Sequence, residues 1–157
     1  MNWNHLKEVL NQYADFLEQS AKANMPQHYE LKDKISFQVQ IGSKTFDIAF
    51  LGPEYWKWAN YGRGPGKMPP SAPIEKWIEK RGILPRSGHD TPTARKGLAF
   101  VIRRKIGKEG TKGSHFLEKS LQDQADHWFD EITNAIAQDI TEEITEFLSP
   151  LNGNISL

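Results

Sequence analysis

Gly62, Arg63, Gly64, Pro65, Gly66 and Lys67 have the composition of a phosphate-binding loop, in which backbone N–H groups and a lysine cradle an anion. The Walker spacing fails at both ends. It needs glycine where Tyr61 stands and a hydroxyl where Met68 stands, and Pro65 has no N–H to donate. Ser87, His89 and Asp90 supply the letters of a hydrolytic triad, but triads gather residues distant in sequence onto a fixed scaffold, and these crowd one segment. The five histidines (His5, His28, His89, His115 and His127) show no paired spacing on a helix face and no HExxH pattern, so the sequence predicts no metal site. Glu142, Glu143 and Glu146 fall on a helical stretch as a solvated acidic face, without the spacing of a general acid and base. The expectation is a chain with no catalytic residues, no metal and no cofactor.

The remaining chemistry is charge. Residues 1–56 hold 5 Lys or Arg against 7 acids, residues 57–119 hold 15 against 5, and residues 120–157 hold 0 against 8, giving −2, +10 and −8 within a formal net charge of zero. Arg95, Lys96, Arg103, Arg104, Lys105 and Lys108 lie on one helical stretch and cannot all be buried. Such a row can contact DNA phosphates by counterion release, without reading bases, or can pair with acids such as Asp130 or Glu142 on the same or a neighbouring chain.

The elements that must carry these residues are legible from periodicity. Trp3, Leu6, Leu10, Tyr13, Leu17 and Ala21 recur at helical steps, and Asn24 and Pro26 signal the end. Ile35, Phe37, Val39 and Ile41 alternate with polar residues, as do Phe46, Ile48 and Phe50, with Gly42-Ser43 offering a two-residue turn. That turn predicts Ile41 opposite Lys44, Val39 opposite Phe46, Phe37 opposite Ile48 and Ile35 opposite Phe50. Residues 54–61 suit a short helix or a third strand equally, and residues 62–70 read as a loop.

Ser71 is placed to cap a helix with Pro73 in its first turn, an apolar stripe of Ile74, Trp77 and Ile78, and Gly82 at its end. Residues 84–90 form an irregular connection. Thr91-Pro92 opens the basic helix with Leu98, Val101, Ile102 and Ile106 inward. From residue 114 the series Leu117, Leu121, Ala125, Trp128, Ile132, Ile136, Ile140, Ile144 and Leu148 implies one helix of about 50 Å, which must bend or project. Residues 149–157 are expected to be a flexible tail after a single domain over 1–148.

The bulk numbers fit this picture. A chain of 157 residues with 38% hydrophobic residues, 25% charged residues and a mean hydropathy of −0.64 suits one water-soluble domain. It contains no cysteine, so stability must come from packing. The pattern predicts neither a signal peptide nor a membrane span. The expected class is α+β: a small antiparallel sheet built on a β-hairpin, packed by helices, with a long amphipathic C-terminal helix.

The run Tyr61-Gly62-Arg63-Gly64-Pro65-Gly66-Lys67-Met68-Pro69-Pro70, followed by Ile74, Trp77-Ile78 and Gly82, resembles the phage tail-completion (head-to-tail joining) family of minor tail components. Ala99-Phe100, Ile102, Arg104-Lys105-Ile106, Gly110-Thr111 and Phe116-Leu117 extend the match, which covers about residues 55–121. The resemblance implies a structural virion protein, monomeric when free and forming a ring where the tail meets the capsid connector, with genome DNA passing through. Its partners would be the connector, the terminator or the tube, and residues 62–67 would be a partner-contact loop. It would reside in the virion and, during assembly, in the host cytoplasm. The competing expectation, drawn from charge alone, is a non-enzymatic DNA-binding accessory protein that uses the basic helix.

Overall fold

The computed structural model describes residues 3–26, 29–42, 45–86, 88–89 and 91–152, with side chains up to residue 150. Ser87 and Asp90 of the triad-like segment, His28, the Ser43-Lys44 tip of the hairpin and the last five residues lie outside the described residues. The chain is α+β, with helices packing a two-stranded antiparallel hairpin and a long C-terminal helix. No described helix is long and apolar enough to cross a membrane. Two compact units result, one spanning Lys57–Gly113 and the other made from the segments on either side of it.

The flanking segments build their unit around α1 (Asn4–Asn24). Leu6, Leu10, Ala14, Leu17 and Ala21 are buried along one stripe, and Met25 closes its end. The 3-10 turn Glu30–Lys34 buries Leu31 and leads into β1 (Ser36–Ile41) and β2 (Phe46–Leu51).

The hairpin register is Ile41 opposite Phe46, Val39 opposite Ile48 and Phe37 opposite Phe50. It differs by two residues from the expected pairing because the connection has four residues, closed by the Gly42 N–H donating to the Thr45 carbonyl at 2.8 Å. A two-residue shift preserves the parity of side-chain facing, so the same residues stay on the apolar face, and Ile41 gains an apolar partner in place of Lys44. Phe50 stacks edge-on against Phe37 and Trp56, with Phe116, fully buried, 6.3 Å away.

The expected single late helix is two. α5 (Phe116–Gln122) stops at Asp123, and α6 (Ala125–Asn152) begins after Gln124, whose φ of 54° is left-handed. The hydroxyl of Ser20 on α1 donates to Asp123 at 3.2 Å, so the break is tied to the helix against which both pieces pack. Tyr13, Phe16 and Trp128 form an aromatic cluster there, with ring centroids 5.0 Å apart for Tyr13 and Trp128. α6 continues through Pro150 instead of fraying at residue 149. Proline lacks the N–H that the Glu146 carbonyl would accept, and the Ser149 hydroxyl donates to that carbonyl at 3.0 Å.

The Lys57–Gly113 unit holds α3 (Ser71–Lys80) packed on α4 (Pro92–Glu109), with β3 (Gly62–Arg63) paired to β4 (Thr111–Lys112). The segment before it is helical, α2 (Trp56–Tyr61), not a strand. Ser71 is the first residue of α3 and not its cap: its hydroxyl donates to Glu75 at 2.6 Å. Gly82, at φ 59°, terminates α3 as expected, and Thr91 caps α4 by accepting from the Ala94 N–H at 3.2 Å.

Candidate interaction surfaces

The glycine-proline segment is fixed to α4 by its own backbone. The Gly66 N–H donates to the Gly107 carbonyl at 2.8 Å, Arg103 Nε donates to the Pro69 carbonyl at 2.6 Å, and the Arg63 guanidinium donates to the Lys67 carbonyl. A Cβ on Gly107 would lie 2.9 Å from Met68 Cγ and 3.1 Å from the Gly66 oxygen, so this glycine admits the loop. At its base, Cβ atoms on Gly62, Gly110 or Gly113 would overlap the backbone of Thr111, Arg63 or Asn60. Gly62 and Gly110 also have φ near 77° and 75°. The Gly66 amide is thus engaged within the chain, which removes it from any anion cradle.

The six cations of the basic stretch divide by face. Arg95 is half-buried and pairs with Glu79 at 3.1 Å, and Arg103 is half-buried on the Pro69 carbonyl. Both serve the unit's own structure. Lys96, Arg104, Lys105 and Lys108 are exposed, and Lys105 makes a loose 4.0 Å contact with Glu109.

The inward stripe of α4 is Ala99 with Leu98, Ile102 and Ile106 half-buried, whereas Val101, expected inside, is 62% exposed. Helical geometry explains the correction. At 100° per residue, Arg95, Ala99, Ile102 and Ile106 share one side, and Val101 falls with Lys96, Gly97, Phe100, Arg104 and Lys108 on the other. Phe100 there is 50% exposed. The outer face of α4 therefore sets two apolar side chains among Lys96, Arg104 and Lys108, with Lys105 at its edge.

α6 carries the opposite composition, with seven acids and no Lys or Arg. Its distal half exposes Ile140, Ile144, Phe147 and Leu148 at steps of three and four, Phe147 by 75%.

Asp139 is buried at the middle of α6, and its carboxylate accepts the N–H groups of His5 at 3.0 Å and Leu6 at 2.9 Å. It thereby caps α1, whose preceding residue Trp3 offers no capping side chain. Burial pushes the Asp139 carboxyl up, but hydrogen bonds from the Leu6, His5 and Asn4 amides and the His5 charge outweigh it, leaving it below its ordinary 3.8. The His5 ring meets Glu142 at 2.8 Å, and this hydrogen bond raises His5 above its ordinary 6.5. The ligand atoms of His5, Asp139 and Glu142 lie within 4.8 Å of one another, a grouping that the separate histidine spacings did not signal. Asp139 is committed to two backbone amides and His5 to Glu142, so the cluster has a structural account as a helix cap.

His89 is exposed, and its two triad-like neighbours lie outside the described residues. Each unit carries a single sign of excess charge. Lys57–Gly113 contains 14 Lys and Arg against 4 acids, net +10, and the remainder contains 6 against 16, net −10. The chain matches no protein-family model, no curated protein sequence and no solved structure.

Proposed function

We propose that this chain is a structural virion protein of the neck or tail of a long-tailed DNA phage, joining or completing the tail at the capsid connector as a ring. One observation carries the reading. The residues that resemble the tail-completion family fall largely within one compact unit, and that unit holds a +10 excess against −10 in the rest of the chain. A subunit polarised in this way can meet its neighbour by unlike surfaces, the heterologous contact from which closed rings are made. A ring whose basic units faced inward would tolerate passing DNA of any sequence, because phosphate contacts carry no base information.

The glycine-proline loop supports a contact role. Its hydrogen bonds to α4 present it in a fixed shape, which lowers the ordering cost of binding a flanking protein such as the connector, terminator or tube. The simpler reading, a DNA-binding accessory protein, draws on the exposed Lys96, Arg104, Lys105 and Lys108. Phe100 and Val101 among those cations favour a protein surface over a phosphate backbone, since exposed aromatic and aliphatic groups gain little against phosphates.

Phage particles assembled without the chain test the proposal. Separate filled heads and finished tails are expected; normal joined, infectious particles would refute it. For the accessory reading, binding of the purified chain to duplex DNA that falls steeply with salt is the signature, and no binding at low salt removes it.

A further inference from the structure

We infer that the outer face of α4 receives the distal half of α6 from a second copy of this chain, in a head-to-tail contact. The inference rests on the ring reading for its biological setting, but its evidence is separate and lies in the two faces themselves. Phe100 and Val101 stand 50% and 62% exposed on α4, ringed by Lys96, Arg104, Lys105 and Lys108. Exposed apolar groups at the centre of a charged rim have the arrangement of an interface core and not of a solvated helix face.

The occupant must be apolar along one stripe and anionic in its field. Ile140, Ile144, Phe147 and Leu148 supply the stripe, 37%, 53%, 75% and 44% exposed. The distal half that carries them has Glu142, Glu143 and Glu146 outside the buried Asp139 cap, and no Lys or Arg to oppose α4. The two helices are complementary in charge and alike in exposing an apolar row. Neither is complementary to itself, so a symmetric face-to-face dimer through either would set like charges together. Unlike faces on one subunit propagate, closing into a ring or extending as a filament.

Gly97 fits the same picture. It lies one turn before Phe100 and Val101, and a Cβ there would meet nothing within 4 Å. Glycine inside an exposed helix is less stable than alanine there, and no contact among the described residues explains it. A notch beside Phe100 lets an approaching Phe147 seat closer to the α4 backbone.

The chain has no cysteine, so engineered thiols report the contact cleanly. Val101→Cys and Ile144→Cys alter exposed positions, and circular dichroism confirms that each variant folds. One variant carries a heavy-isotope label, and the two are mixed and oxidised. The expected product is a mixed disulfide dimer several-fold above either same-variant dimer and above a control pairing Val101→Cys with Phe129→Cys, a position 70% exposed on the proximal half of α6. The double variant should give a ladder or a closed ring. Adding Phe147→Glu to the Ile144→Cys chain, or raising the salt, should return the mixed product to the control level.

Only same-variant dimers, a mixed product at the control level, or a double variant that cross-links solely within one chain would each overturn the inference. So would protection of Val101→Cys from a maleimide by duplex DNA with no cross-link to Ile144→Cys, which would make nucleic acid the occupant. Cross-linking that succeeds while particles join normally without the chain would sink the neck reading alone. The reverse pair of results would sink this interface alone.

Discussion

Asp139 and Leu6 are 133 positions apart, and the Asp139 carboxylate accepts the Leu6 N–H at 2.9 Å, with the His5 N–H at 3.0 Å on its other oxygen. A helix start normally draws its cap from the residue just before it. Here the cap comes from the middle of the last helix, so the N-terminal and C-terminal segments are joined through buried, charge-assisted hydrogen bonds.

Replacing this carboxylate should cost about 1–3 kcal/mol, because two amides lose their acceptor in a buried site. Asp139→Ala is expected to lower the urea midpoint with an unchanged slope. Asp139→Asn keeps one acceptor but turns a donor toward the other amide, so it should recover only part of the loss. Because the folded carboxyl titrates below its ordinary 3.8, its contribution is complete above 3.8 and is lost as pH falls through the lower folded value. The gap between wild type and Asp139→Ala should therefore close on acidification.

The neighbouring His5–Glu142 pair should show the opposite sign. A histidine raised above 6.5 stabilises the fold fully below 6.5, and that contribution disappears as pH rises through the raised value. Two-dimensional NMR titration should place His5 above an ordinary histidine, and Glu142→Gln should bring it back toward 6.5. An unchanged His5 midpoint in that variant would refute the coupling.

Among the glycines, position should decide the sign. Gly62→Ala and Gly110→Ala each add a Cβ onto backbone atoms at a left-handed residue, so losses of about 1–3 kcal/mol are expected from strain. Gly64 has open space, and Gly64→Ala should be near neutral. Gly97→Ala should raise stability by about 0.5–1 kcal/mol. Thermal melts of the four variants check the ranking.

Cations of α4 should separate in the same assay. Arg103→Ala removes the donor to the Pro69 carbonyl and should cost about 1–3 kcal/mol. Arg104→Ala and Lys108→Ala are exposed and should stay within about 0.5 kcal/mol of wild type. Equal losses at all three would remove the division of α4 into a structural and a contact face.

What the residue pattern could and could not show follows from the range of each interaction. The stripe from Leu6 to Ala21, the Thr91-Pro92 start and the hairpin strands are local, and their periodicity or cap chemistry reads directly. The hairpin register hung on the turn length, and Gly42-Ser43 suits a two-residue turn as well as the start of a longer one.

At Asp123-Gln124 the apolar steps from Leu121 to Ala125 and Trp128 run on unbroken, so nothing local marks the left-handed Gln124. The two-residue β3–β4 ladder is too short to show any period. The Asp139 cap requires knowing which helix lies beside which. The exposed and structural cations of α4 became separable only when the true inward stripe displaced Val101.

The basic unit is an insertion in the sequence of the acidic one, with the two ends of the inserted stretch drawn together by the Gly62–Lys112 pairing. On the ribosome the consequence is an order of events. The inserted unit has all its residues once Gly113 has emerged, while α1 must wait, uncapped, for Asp139 and the rest of α6. Translation therefore brings out the cationic module complete before the anionic one can close, and a nascent chain stalled with Gly113 just clear of the exit tunnel should protect the first from proteolysis and leave the second open.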